Sequence, residues 1–173
     1  MITKQRLVLL VLVLFSLNVS TAIAQKGANR TLPFKIASND HDAWYWADDW
    51  AITSTFSGEI EIAQTKSSQE VRIKLTGGEL FAQKSDQYIL EITPFICEKK
   101  GKSFTSAARA SAPLVLNRKL EKGNAYTLPA FEFTITLEKD FHLEEHWLTF
   151  EIKDWCDEVC TTFAHSKKAI FSL

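Results

Sequence analysis

Two stretches near the carboxyl end alternate apolar and polar residues with a period of two. That period restricts them to extended chain with one buried and one wet face. Phe131, Phe133, Ile135 and Leu137 alternate with Glu132, Thr134, Thr136 and Glu138, and His146, Leu148, Phe150 and Ile152 alternate with Trp147, Thr149, Glu151 and Lys153. The link Lys139–Glu145 is polar and lets the second strand fold back on the first. The phase places Phe133, Ile135, Phe150 and Ile152 inside and Glu132, Thr134 and Glu151 outside, with Trp147 either exposed or covered by a loop.

The same period recurs upstream. Trp50, Ile52, Ser54 and Phe56 share one face, followed by Ile60 and Ile62, with Gly58 marking a bend or bulge. Val71, Ile73 and Leu75 form a strand that Gly77-Gly78 should end, and Tyr88–Cys97 forms another. Pro94 inside that second strand predicts an edge or bulged position, because proline cannot donate to a ladder. Ser103–Ala110, Pro113–Leu120, Tyr126–Leu128, Thr161–His165 and Ala169–Leu173 also read as extended, whereas Gln25–Lys35 is polar and reads as loose. Eight or nine short strands with turn residues between them predict an all-β, antiparallel β-sandwich of immunoglobulin-like type. A lipocalin-like closed β-barrel fits the same length and strand count.

The amino terminus bears on the compartment. Lys4 and Arg6 precede the apolar run Leu7–Leu17, and Ala22-Ile23-Ala24 supplies small residues where a signal peptidase cuts. The run is shorter than the ~20 residues of a membrane-spanning helix. Residues 1–24 therefore read as a secretory signal, and residues 25–173 as one β-sandwich domain, periplasmic or secreted, with no membrane span after cleavage. The chain balances 20 Lys and Arg against 21 Asp and Glu. Without clustered cations it does not suit nucleic acid.

Three places could carry chemistry. Ser38–Trp50 holds three of the five tryptophans, Trp44, Trp46 and Trp50, beside Asp48 and Asp49. A short helix capped by Asn39 or Asp40 would put Ala43, Trp46, Ala47 and Trp50 on one face. Flat rings and carboxylates suit a ligand-binding platform, and equally a plug at one end of a sandwich. Cys156 and Cys160, with three residues between them, lie where the chain must turn, and Cys97 is the third thiol. A Cys156–Cys160 bridge, or one from Cys97 to either of them, suits an oxidising compartment. His142 and His146 would share a helix face, but on a strand they would stand ~13 Å apart, too far for one metal ion. Glu144 and Glu145 on a strand would likewise face opposite ways. No cofactor or metal motif and no catalytic triad emerges from the spacing.

The last quarter of the chain, Leu148–Leu173, runs strand, Cys156-Asp-Glu-Val-Cys160, strand. It resembles the end of the immunoglobulin-like amino-terminal domain of the bacterial DsbD thiol–disulfide family. Thr161-Thr162-Phe163 stands where that family carries tyrosine-proline-proline. The resemblance implies a periplasmic domain in which Cys156 and Cys160 pass electrons to a partner. Taken together, the sequence predicts a non-catalytic binding domain for a protein or small-molecule ligand. Thiol–disulfide exchange at Cys156 and Cys160 is the second reading, and a small barrel carrying an apolar ligand is the third.

Overall fold

Both alternating stretches are strands, and they belong to different sheets. The computed structural model describes residues 30–38, 43–44, 52–82, 85–155 and 160–171. One sheet contains β1 (Arg30–Ala37), β3 (Ile52–Gln64), β4 (Ser68–Ala82), β8 (Ala125–Thr127) and β9 (Phe131–Glu138), with β8 and β9 end to end along β4. The other contains β2 (Ala43–Trp44), β11 (Cys160–His165), β10 (Trp147–Asp154), β5 (Asp86–Lys100), β6 (Ser103–Arg109) and β7 (Leu114–Leu120), with β6 and β7 end to end along β5. All pairings are antiparallel. The two sheets do not close on each other, so the expected β-sandwich forms and the closed barrel does not.

The interior is filled rather than hollow. Phe150 of β10 stacks on Phe56 of β3 with centroids 4.2 Å apart, and it also meets Phe34 and Phe133 from the facing sheet. Ile60, Ile73, Ile135, Leu90 and Ile92 complete the same core. A carrier of barrel type would need a cavity where these side chains interdigitate. Phe133, Ile135, Phe150 and Ile152 are buried and Glu132 is exposed, as the alternation required. Glu151 is not exposed but buried, for a reason that lies on the outer face of its sheet.

Four local expectations change. Arg30–Ala37 is a full strand because Leu32, Phe34 and Ile36 face inward and the backbone pairs with β3 from Arg30↔Ile62 to Ala37↔Thr55. Gly77-Gly78 does not end β4. The pair sits at a bulge opposite Ser57 and Phe56, where the buried set on β4 switches from Val71, Ile73 and Leu75 to Leu80 and Ala82. Gly58, across that bulge, packs so closely that a Cβ would lie 1.9 Å from the Lys74 carbonyl oxygen. Pro94 lies in a central strand. On one side β10 runs past it, and on the other β7 ends at Ile92 while β6 pairs from Phe95. The Pro94 carbonyl accepts from the Ala110 N–H on that second side, so the missing proline N–H falls at the junction where no ladder partner waits. Beyond β11, Ser166–Phe171 bends instead of extending, tied down by Ile170 N–H donating to the His146 carbonyl.

Candidate functional site

Of the sites singled out in the sequence, Trp44 and Cys160 fall on neighbouring strands of the six-stranded sheet. β10 and β11 pair as antiparallel neighbours, from Thr149↔His165 to Asp154↔Cys160. β2 adds to the far side of β11, with Trp44 opposite Thr161 and Ala43 opposite Thr162. Ala43 and Trp44 are thus extended rather than helical, because their backbone completes the sheet edge. The fold thereby brings the backbone of Ala43 and Trp44 beside β11, which their separation in sequence did not reveal. Trp46, Asp48, Asp49, Trp50 and Cys156 lie outside the described residues, as does the predicted signal segment 1–24.

Cys97 is a free, buried thiol. Cys97 stands opposite Trp147 on β10, whereas Cys160 stands opposite Asp154, seven residues further along the same strand. At ~3.3 Å per residue the two are ~23 Å apart, far beyond the ~7 Å limit of a disulfide between α-carbons. The Cys97–Cys160 bridge allowed by the sequence is therefore not formed, and the free state of Cys97 leaves no bridge to Cys156 either.

Ile89, Val115 and Trp155 are the exposed large hydrophobic residues of the described chain, at 37%, 55% and 47%. All three fall on the outer face of the six-stranded sheet at the cysteine-hairpin end. Trp155 N–H donates to the Ile89 carbonyl, and Val115 lies opposite Glu91, one step along the same face from Ile89.

Farther along, the outer face is dry. Thr93, Phe95, Cys97, Thr149 and Glu151 all point away from the core and are nevertheless buried. Phe104 of β6 stacks on His165 of β11 with centroids 3.9 Å apart and planes within 6°. Two strands separate β6 from β11, a flat distance of ~14 Å, so the β5–β6 hairpin must curl over the face. Phe163 stacks on the same imidazole at 6.0 Å, and Trp147 meets Phe104 edge-on. The Lys99 ammonium lies 5.3 Å from the Phe104 ring centre and 5.9 Å from that of Trp147. Beneath this layer Cys97 hydrogen-bonds Thr149, whose hydroxyl is 2.8 Å from His165 Nδ1. Burial pushes the Cys97 thiol pKa up, and the Thr149 hydrogen bond offsets part of that rise. Trp147 is half-buried, with its indole N–H enclosed and unpartnered.

A third region is the loop between β9 and β10. Residues 139–146 are not strand, so the extended spacing expected for His142 and His146 does not apply. His146 N–H donates to the Leu143 carbonyl, closing a turn, and His142, Glu144, Glu145 and His146 line one cleft of about 370 Å³. Gln69 holds the loop to β4 by donating to the carbonyls of Lys139 and Phe141. Both His146 ring nitrogens are buried without partners, and the ring packs 4.8 Å from Phe141. Among the described residues no group of three or more His, Cys, Asp or Glu side chains is arranged to hold a metal ion. No described helix is long and apolar enough to cross a membrane. No protein-family model, no curated protein and no solved structure matches this chain.

Proposed function

We propose that the protein is a periplasmic or secreted binding domain, without catalysis of its own, that contacts its partner through the cysteine-hairpin end of the six-stranded sheet. The observation that carries this reading is the placement of Ile89, Val115 and Trp155 together on that outer face. Exposed apolar residues scattered singly mean little, whereas a contiguous set is the usual mark of a contact surface. The backbone pairing of Ala43 and Trp44 with β11 adds two residues of the tryptophan-rich sequence to the edge of the same sheet. The extracytoplasmic location rests on the leader pattern Lys4–Ala24. The test is a Val115→Glu, Trp155→Ala double variant. It should melt within a few degrees of the wild type, as surface substitutions do, and lose retention of its partner from a concentrated extracytoplasmic extract. Undiminished retention would remove this surface from the reading.

A second reading, thiol–disulfide exchange in the manner of the DsbD amino-terminal domain, is favoured by the hairpin itself. The backbone of Cys160 pairs with Asp154, and Cys156 lies in the five-residue stretch of sequence between them. The local charge works against it, since Asp154, Asp157 and Glu158 disfavour the attacking thiolate. Redox titration against glutathione with mass mapping of trapped thiols separates the two. A Cys156–Cys160 potential below about −300 mV fits a structural staple, and one between about −120 and −230 mV fits an exchange catalyst.

A further inference from the structure

An open sheet ends in strands whose outer N–H and C=O groups can take another strand, and most edges of this protein are blocked. β1 carries Pro33, which has no N–H to offer. At β9 the Thr134 carbonyl is taken by the Ser111 N–H, and β8 is only three residues long. β11 is covered by β2 at Thr161 and Thr162. β6, on the arm that curls over the sheet, is broken by the register shift opposite Ile96 and Cys97. β7 carries none of these devices. It pairs in unbroken register with β5 on one side and with no described strand on the other.

The register also tells which groups of β7 are free. Trp155 N–H donates to the Ile89 carbonyl, so Ile89, Glu91 and Thr93 turn their backbone groups toward β10. Tyr88, Leu90 and Ile92 turn theirs toward β7, where they meet Arg118, Leu116 and Leu114. Val115, Asn117 and Lys119 therefore point their N–H and C=O groups out of the sheet edge and their side chains onto the outer face. Val115 is the most exposed large hydrophobic residue of the described chain, and the charges of β7 are the exposed cations Arg118 and Lys119, with no acid on the strand. Lys119 reaches Glu121 at 3.1 Å, but both side chains are largely in solvent, so that pair yields readily to another carboxylate. We infer that β7 is the docking edge for an extended acidic segment of a partner protein, added antiparallel with acids facing Arg118 and Lys119 and an apolar side chain facing Val115. A second copy of β7 fits badly, since pairing about Asn117 sets Lys119 against Val115 and Arg118 against Leu116. The inference rests on the binding reading above and adds the form and charge of what is bound.

The probe is the synthetic peptide acetyl-Thr-Glu-Glu-Thr-Val-Val-Thr-amide, whose residues match β7 in that register, followed by backbone NMR on the purified protein. Without peptide, the amides of Val115, Asn117 and Lys119 should exchange at least about tenfold faster than those of Leu116 and Arg118. Peptide at about 1 mM or below should shift those three amides and slow their exchange at least about threefold. A peptide with lysines in place of both glutamates should bind at least about fivefold more weakly at low salt, with the gap narrowing as salt is raised. Asn117→Pro deletes one outward N–H and spares the ladder to β5, so it should unfold at the urea concentration of wild type and lose the peptide-induced shifts. Lys119→Glu, a surface change, should erase the preference between the two peptides. No change at the three amides, equal binding of the two peptides by wild type, or undiminished binding by Asn117→Pro would each overturn the inference. A dimer in sedimentation that Asn117→Pro dissolves would overturn it in favour of a second copy. Loss of partner retention in the Val115→Glu, Trp155→Ala variant but not in Asn117→Pro would leave the contact surface standing and overturn strand addition alone.

Discussion

Phe150 touches aromatic rings from three strands of the opposite sheet, so one side chain couples the two layers. Phe150→Ala should cost about 3–5 kcal/mol in urea unfolding, because removal of the ring leaves a cavity that stacked Phe56 cannot fill. A loss under about 1 kcal/mol, the size of a surface change, would contradict this placement. Cys97 gives a second test at this scale. Below the ordinary thiol pKa of ~8.5, folded and unfolded chains both keep the proton, and Cys97 adds no pH dependence. Above it the unfolded thiol ionises first, since burial has raised the folded value, so stability falls as pH rises until the folded thiol ionises as well. Cys97→Ala should therefore lose less stability than wild type between about pH 8 and 10. Parallel stability curves for the two proteins over that range would contradict the burial argument. Glu151 shows why alternation misplaced one residue: it does face away from the core, but the outer face around it is covered.

At the scale of elements, the β3–β4 bulge is the feature with the least tolerance. Gly58→Ala would drive a methyl into the Lys74 backbone carbonyl, whereas a Cβ at Gly77 meets nothing closer than the Ser57 hydroxyl at 3.0 Å, which can rotate. Gly58→Ala should cost about 2–4 kcal/mol and Gly77→Ala no more than about 1, compared by thermal or urea unfolding. Equal costs would mean that the bulge relaxes. Gly58 was readable as a bend from its place between alternating runs. The continuation of β4 through two glycines was not, because it depends on β3 and β8 supplying partners on either side. Pro94 is a similar case. The rule that proline avoids central strands holds for a continuous ladder, and here the ladder beside it is divided between β6 and β7.

For the whole molecule, the leader pattern predicts that a secreting host releases a chain beginning at Gln25 or within a few residues of it. Mass spectrometry of the soluble product checks this, and an intact Met1 would undo the expectation of an oxidising compartment. The two-layer architecture constrains the surface as well as the core. One sheet face packs against the other sheet, and the six-stranded sheet then divides its outer face between an arm-covered half around Cys97 and an open half around Trp155. Strand pairing places the end of the β10–β11 pair and β2 in that same sheet.

The sequence by itself determined the strands with strong alternation, the antiparallel two-layer class, the inward phase of Phe133, Ile135, Phe150 and Ile152, and the position of the cysteine hairpin. Those features follow from local periodicity and turn chemistry, which each segment carries alone. Tertiary structure decided the pairing of Trp44 with Thr161, the isolation of Cys97 from Cys160, the common cleft of His142 and His146, and the stacking of Phe104 on His165. Each of these joins residues through strand register, chain reversal or the curl of an arm. Register depends on which strands meet, and a period of two in one strand does not name its neighbour.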